Sequence, residues 1–421
     1  MDLRDIHICI SAYACDPTAG SEPGIGWNLV REVARRHRVW AITRRKNERA
    51  IAAELQRAPL PKLQMIYFDL PPSLRVWKKG QLGIDVYYRL WQRLTRRLIE
   101  DLRRDVHLDL TQHVTFGRYW APTSLAYVST PFVWGPVGGG ETAPAAFRRD
   151  FDRRGRTYEF VRDCARRCSE SAPSVRRAAR QTALGLAVTE ETRARLFAIG
   201  TKRVELFSAM GFDHGAYEAF RRMPPSDGAA LRFISMGRLL HWKGFHLGLK
   251  AFAQAAIPQS EYWIVGDGPE RANLSDLVRR LGLHERVRFM GVQPRAQVLE
   301  MLAACDMLVH PSLHDSGGWV CLEAMAAGKP VLCLDLGGPA EMVTDQTGVK
   351  VAANTPEQAV ADLACAMTTL GRNRDLRYAM GEAGRARVRT EYMWENKGDR
   401  LDAFYASVLQ GRAAQSRPHP A

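Results

Sequence analysis

No run of 18 or more apolar residues occurs anywhere in the 421-residue chain, which argues against a conventional membrane-spanning helix. The eight cysteines include no C-x-x-C pair, and most lie inside apolar runs, so neither a zinc site nor a disulfide framework is indicated. They read instead as small buried hydrophobes of a reducing compartment. The opening stretch MDLRDIHICISAYAC carries acids where a secretory leader needs positive charge, and its short β-branched run reads as a first strand. A cytoplasmic protein is therefore expected. Lysine is also scarce, at ten of the 60 basic residues, the rest being arginine.

What is present is an uneven charge. Residues 1–200 hold 34 basic against 21 acidic side chains, whereas residues 201–421 hold 26 against 24. A basic first half suits an anionic partner such as a membrane surface, a phosphate-bearing substrate or nucleic acid, although the arginine bias is also compositional. No recognition helix or paired aromatic motif accompanies the charge, so a nucleic-acid-binding protein is disfavoured.

Strand and helix patterns alternate from the start: IHICISAYAC, then SEPGIGWNLVREVARRH, RVWAITR, NERAIAAELQRA and LQMIYFDL. This alternation predicts a parallel sheet with right-handed crossovers. A long helix follows, with Tyr87, Leu90, Trp91, Leu94, Leu98 and Leu102 at core spacing and its arginines on the wet side. HLDLTQHVTFG and PFVWGPVGGG are further strands, and the arginine spacing of 148–180 suggests exposed helices. HGAYEAFRRMPPSDGAA reads as a linker, polar and broken by a double proline. From residue 231 the alternation restarts, from LRFISMGRL to PVLCLD, giving a second doubly wound unit without sequence repetition. EYMWENKGDRLDAFYASVLQ is a last amphipathic helix, followed by a frayed tail.

Open parallel sheets bind ligands beyond the carboxyl ends of their strands, which singles out the turns there. After FISMG come Arg238 and Lys243-Gly244, a guanidinium and an ammonium near a helix N-terminus, the chemistry of a diphosphate site. After MLVHPS come Asp315, Ser316, Gly317 and Gly318 and then a helix holding Glu323; exposed N–H groups and carboxylates suit sugar hydroxyls. Taken alone, each has a plainer reading: surface charges for the first pair, and an N-capping Asp315 or Ser316 with a merely polar Glu323 for the second. His113 stands at a strand exit, a structural histidine or a site residue. GPVGGGE, residues 135–141, either shapes an acceptor pocket or makes a tight turn.

In order, GRLLHWKGFHLGLKAF, WIVGDGPERANL, VRFMGV, DMLVHPSLHDSGGWVCLEAMAAGKPVL and GGPAEMV resemble the donor domain of retaining glycosyltransferases of family 4, which have the GT-B fold. ISAYACDPTAGSEPGIGW and HVTFG resemble that family's acceptor domain. The resemblance implies an α/β chain of two Rossmann-like doubly wound domains facing across a cleft, with a C-terminal helix returning to the first. The expected parts are an acceptor domain over 1–212, a linker over 213–230, a donor domain over 231–390, a crossing helix over 391–410 and a tail over 411–421. Carried over, Arg238 and Lys243 would hold the donor diphosphate and Glu323 the ribose hydroxyls. Asp315, with the backbone of Gly317, Gly318, Trp319 and Val320, would meet the sugar or its phosphate. Met290, Gly291 and Val292 would border the nucleobase, Gly20 or Gly24 would bring a loop against the donor, and His113 would sit near the anomeric carbon. The first acid of the family's E-x7-E pattern is here Asp315, one methylene shorter, and so the first place to look for altered sugar preference.

The only tempting D-x-D triplet, Asp150-Phe151-Asp152, is flanked by arginines and reads as ion pairing on a solvated helix. No metal and no cofactor are expected, and the leaving diphosphate is left to Arg238 and Lys243. The resemblance implies transfer of a hexose from a nucleotide sugar with retention, the departing phosphate taking the acceptor proton. The expected partners are a nucleotide sugar, a saccharide or lipid-linked acceptor and an anionic membrane face met by the basic first domain, giving a cytoplasmic, peripheral enzyme of polysaccharide synthesis. A soluble sugar or sugar-phosphate synthase or phosphorylase of the same fold is the alternative.

Overall fold

The structure is a computed structural model that describes residues 5–74, 83–223, 228 and 230–415. The chain divides into two compact units: unit 1 is 1–140, 163–211 and 394–421, and unit 2 is 141–162 and 212–393.

Unit 1 is built on a seven-stranded sheet, β3-β2-β1-β4-β5-β6-β7, with every neighbouring pair parallel. The strands are β1 (His7–Ala12), β2 (Arg38–Thr43), β3 (Leu63–Tyr67), β4 (Leu110–Thr115), β5 (Phe132–Val137), β6 (Thr182–Ala187) and β7 (Val204–Leu206). Both faces are covered. Ile8 and Ile10 of β1 pack into one apolar cluster with Val39, Leu110 and Val133, while Cys9 between them joins a second with Ile42, Phe132 and Trp134. Strands so enclosed read as continuous apolar runs, which is why the sequence announced them.

The helix Ile84–Asp105 is rotated from its expected stripe. Tyr87, Tyr88, Trp91 and Ile99 are buried as apolar anchors, but Gln92 and Thr95 are buried too, while Leu90, Leu94 and Leu102 pack only at the margin. Gln92 earns its place by hydrogen bonding: its Oε1 accepts from the Ser124 N–H at 2.8 Å and its Nε2 donates to the Tyr88 hydroxyl at 3.0 Å. The last helix, Trp394–Gln415, belongs to unit 1 and lies against the helix Ser21–Arg36. Arg36 there pairs with Asp399 at 2.8 Å and Asp402 at 3.1 Å. Helical structure continues to Gln415, past the expected start of the tail at 411, and 416–421 lie outside the described residues.

Unit 2 holds a six-stranded parallel sheet, β10-β9-β8-β11-β12-β13, in the same order of winding. Its strands are β8 (Leu231–Met236), β9 (Ser260–Val265), β10 (Val287–Gly291), β11 (Met307–His310), β12 (Val331–Leu334) and β13 (Gly348–Val351). Because all run one way, the turns after β8, β9, β10, β11 and β12 share one edge of the sheet, the edge on which the unit 2 candidate turns lie.

Two expectations for the boundaries give way. The first half of the expected linker is the helix His214–Arg221, capped by Asp213, whose Oδ1 accepts from the Ala216 N–H at 2.7 Å; it belongs to unit 2. The second is a larger departure: residues 141–162, from the middle of the first half, fold with unit 2 rather than unit 1. Phe147 and Phe151 enter the unit 2 core. Asp150-Phe151-Asp152 is therefore not a solvated helical triplet. Phe151 is buried, Asp150 faces Lys250 at 3.7 Å and His246 at 3.9 Å, and Asp152 caps the following helix by accepting from the Gly155 N–H at 2.6 Å.

That helix, Arg153–Ser171, has an inverted pattern. Glu159, Asp163, Arg166 and Ser169 are buried, while Phe160 and Val161 are exposed. The expectation of an exposed arginine-rich helix held only for one face, because hydrophobicity alone does not reveal a polar side turned inward by ion pairing.

Candidate donor site

In unit 2 the turn His241–Lys243 and the loop from Pro311 to Gly318 lie together. The Leu313 N–H donates to the Trp242 carbonyl at 2.8 Å, and Gly244 has φ +65° with its α-carbon so close to the Pro311 carbonyl that a Cβ would come within 1.9 Å. Only glycine satisfies both conditions. This packing delivers Lys243 to Asp315, and their side chains form an ion pair.

The His310 Nε2 lies 3.2 Å from the same Asp315 oxygen, Oδ2. Burial alone would raise the Asp315 pKa, but the hydrogen bond from His310 and the charge of Lys243 outweigh it and hold the carboxyl well below the usual range. Burial pushes the His310 pKa down, so the ring is neutral at pH 7 and its Nε2–H tautomer donates to Asp315. Asp315 also shapes its own loop. Its Oδ1 accepts from the Gly317 N–H at 3.3 Å and its carbonyl accepts from the Gly338 N–H at 2.7 Å, tying the loop to the turn after β12. Gly318, at φ +62°, then opens the helix Trp319–Ala326 that includes Val320. The N-capping role open for Asp315 is thus a contact to Gly317, not a helix cap; the capping residue, Gly318, has no side-chain cap.

Glu323 is fully buried on that helix, and its carboxylate pairs with Arg295, the first residue of the helix Arg295–Ala304. Burial raises the Glu323 pKa and Arg295 opposes the rise. Gly291 ends β10 with φ +69°, and Val292 beyond it is 78% exposed, an apolar side chain left open at the carboxyl edge. Arg238 is exposed just past β8.

The unit 1 candidates form a separate group. Gly20 immediately precedes the helix Ser21–Arg36, and Gly24 lies inside it, where a Cβ would come 2.3 Å from the Ala19 carbonyl. His113 is not in the turn after β4 but within the strand, opposite Ser11 and Trp134. The strand runs on through Thr115 because Val114 and Thr115 are themselves buried in the sheet. Burial pushes the His113 pKa down to about 4, only partly offset by the Phe116 backbone, and neither ring nitrogen makes a hydrogen bond of normal geometry. It is a neutral imidazole at pH 7.

Reading the sequence missed Arg295, His310 and Glu159. Arg295 and His310 carried no local signal, since each acts on a carboxylate at least five positions away. Glu159 carried one: acids and an arginine at 159, 163 and 166 recur at helical spacing, the mark of a polar face with something to bind.

Two parallel Rossmann-like sheets of this winding are the architecture of the GT-B fold. Solved structures share it across 96% of this chain: Anabaena Alr3699/HepE in complex with UDP, 19% identical with a TM-score of 0.62 over 100% of that chain, and sucrose-phosphate synthase from Thermosynechococcus elongatus, 17% identical with a TM-score of 0.64 over 100%. Residues 217–387 match the family Glycosyl transferases group 1. Curated relatives include 2-deoxystreptamine glucosyltransferase of Streptomyces kanamyceticus, 28% identical over 76% of this chain and 79% of that protein. Another is the lipopolysaccharide core biosynthesis glycosyltransferase LpsD of Rhizobium meliloti (strain 1021), 30% identical over 53% of this chain and 64% of its own length. A D-inositol 3-phosphate glycosyltransferase of Segniliparus rotundus is 33% identical, with the match spanning 44% of that protein. The chain has the GT-B fold and is a transferase enzyme, with residues 217–387 similar to the group 1 glycosyltransferases. No helix among the described residues is long and apolar enough to cross a membrane.

Proposed function

We propose that the enzyme moves a hexosyl group from a nucleoside diphosphate sugar to a saccharide or lipid-linked acceptor, with retention and without a metal, as a member of glycosyltransferase family 4. The observation that carries this reading is the grouping of Lys243, Asp315 and the glycine loop 317–318 at one edge of the second sheet, with Glu323 on the helix that follows. Lys243 and Arg238 supply the positive charge for a diphosphate, and charge grows on that group as the glycosidic bond breaks. The ammonium is held in place by Asp315, so an incoming phosphate would share it with that carboxylate. Glu323 would accept from ribose hydroxyls, with Arg295 opposing the upward push of burial on its pKa. Gly291 and Val292 would border the base. Retention would follow if the departing phosphate takes the acceptor proton on the same face, with Asp315 and Glu323 binding rather than acting as bases. His113, neutral at pH 7, would accept or donate a hydrogen bond near the reacting sugar, and Gly20 or Gly24 would approach the donor.

The relatives are named for 2-deoxystreptamine, D-inositol 3-phosphate and the lipopolysaccharide core as acceptors or products. A lipid-linked saccharide in cell-surface polysaccharide synthesis fits the basic first half and a cytoplasmic enzyme resting on an anionic membrane face. Of the basic side chains that would meet such a face, Lys78 and Lys79 lie outside the described residues. Arg96 of the helix Ile84–Asp105 pairs with Glu100 at 2.7 Å, so its charge is partly neutralised locally.

A thermal-shift panel of UDP-, GDP-, ADP- and dTDP-sugars tests the donor reading, because a ligand that binds only the folded state raises its apparent stability with concentration. At least one is expected to shift the wild type, and Lys243→Ala and Glu323→Ala to lose the shift. Unchanged shifts in both variants overturn the site.

A further inference from the structure

The segment 141–162 brings two buried carboxylates, Glu141 and Glu159, to the turns that carry Lys243 and Asp315. The Glu159 Oε1 accepts from the Nε2 of His241 at 3.1 Å and of His314 at 2.9 Å. His241 lies two residues before Lys243, and His314 immediately precedes Asp315, so one carboxylate oxygen joins the two turns that present the ion pair. Trp242 fills the space between them: its ring stacks on His314, with centroids 5.1 Å apart and planes 16° off parallel, and on Tyr158, at 5.1 Å and 12°. On the far side of Asp315, the Ser316 hydroxyl donates to the Glu141 Oε2 at 2.5 Å. Arg162 closes the frame, its Nη2 donating to the Glu141 carbonyl at 2.8 Å while its Nη1 lies 3.8 Å from Glu159. The loop is thus held at residues 314 and 316, one on each side of Asp315.

We infer that Glu159, assisted by Glu141, is a positioning residue of the donor site: it fixes the separation of Lys243 and Asp315 and so the affinity for the donor phosphates. The inference rests on the reading of Lys243 as a phosphate contact. Burying a carboxylate is costly, and apolar residues of similar size would give comparable stability. A buried carboxylate that fixes two histidines instead gives direction, because each hydrogen bond specifies where its donor stands. The burial pattern of the helix Arg153–Ser171, with Glu159 inward and Phe160 and Val161 outward, follows from that demand.

The test is a double-mutant cycle on the full chain, read by calorimetric affinity for UDP, GDP, ADP and dTDP, using whichever binds the wild type most tightly. Glu159→Gln should weaken binding by about tenfold, the worth of a charge-assisted hydrogen bond. In the Lys243→Ala background, Glu159→Gln should change affinity less than about twofold, since Glu159 acts through Lys243. A merely structural role would multiply the two losses. Ser316→Ala, a milder change on the Glu141 side, should show the same non-additivity and keeps the test decisive if Glu159→Gln does not fold. If Lys243→Ala weakens binding while Glu159→Gln and Ser316→Ala do not, or if the losses multiply, the positioning role is overturned and the donor site stands. If Lys243→Ala binds as the wild type does, the donor-site reading itself falls, and this role with it.

Discussion

The ammonium of Lys243 and the carboxylate of Asp315, 72 residues apart in the chain, form an ion pair where the turns after β8 and β11 meet. Each side chain is about one-fifth exposed, so the pair is less screened than a surface bridge yet open to a ligand. Lys243→Ala should therefore lower affinity for the nucleotide by about ten- to a hundredfold, equivalent to the loss of roughly 1.5–3 kcal/mol in a charged hydrogen bond. Asp315→Ala in the same background should restore part of the lost thermal stability, because it removes the carboxylate left without its cation. Calorimetry and unfolding midpoints of the two single variants and the double variant measure both effects.

Gly244 offers a test of how tightly the two turns are packed. Alanine there would face a positive φ and a Cβ contact with the Pro311 carbonyl that only backbone movement relieves. Gly244→Ala should cost on the order of 2 kcal/mol or more, well above the ordinary effect of a surface glycine, and should weaken nucleotide binding along with it. Denaturant unfolding gives the first, calorimetry the second. Full retention of both would show that the turns can separate.

Arg295 opposes the effect of burial on Glu323. Burial already raises the Glu323 pKa, and Arg295→Ala would let it rise further. Since an ionised carboxylate accepts from two hydroxyls and a protonated one does not accept as well, nucleotide affinity in Arg295→Ala should fall as pH is lowered, starting at a higher pH than in the wild type. Affinity measured at stepped pH for both proteins checks the displacement, and superimposable profiles would refute it.

Acid should destabilise the fold from about pH 6.5 downward. His113 is buried and His246 largely so, and desolvation pushes each pKa down from 6.5 to about 4, with Lys250 adding to the effect at His246 against Asp150. The unfolded chain thus binds protons between pH 6.5 and 4 that the folded chain refuses. Stability is complete above 6.5 and lost as pH falls through that window, by up to about 3 kcal/mol for each histidine. His113→Gln removes one of these groups, so its stability should fall less steeply between pH 7 and 5. Urea unfolding at the two pH values supplies the comparison, and equal slopes would count against a buried neutral His113.

The sequence by itself determined both sheets. Strands buried on both faces must be apolar along their length, and helices between them must carry one apolar stripe, so β1, β4, β8 and β11 were visible as patterns, together with the turns after β8 and β11. It also put Arg238, Lys243, Asp315, Gly317 and Gly318 beyond strands of the second sheet, where the structure has them. The tertiary structure alone decided which of these residues meet. Nothing local pairs Lys243 with Asp315 or Arg295 with Glu323, because those contacts depend on how separate crossovers pack. Nor did the pattern reveal that 141–162 folds with the second sheet, or that Gln92, Thr95 and Glu159 point inward. A polar side chain is buried only when distant partners satisfy it, and hydrophobic periodicity records the cost of burial but not the hydrogen bonds that offset it.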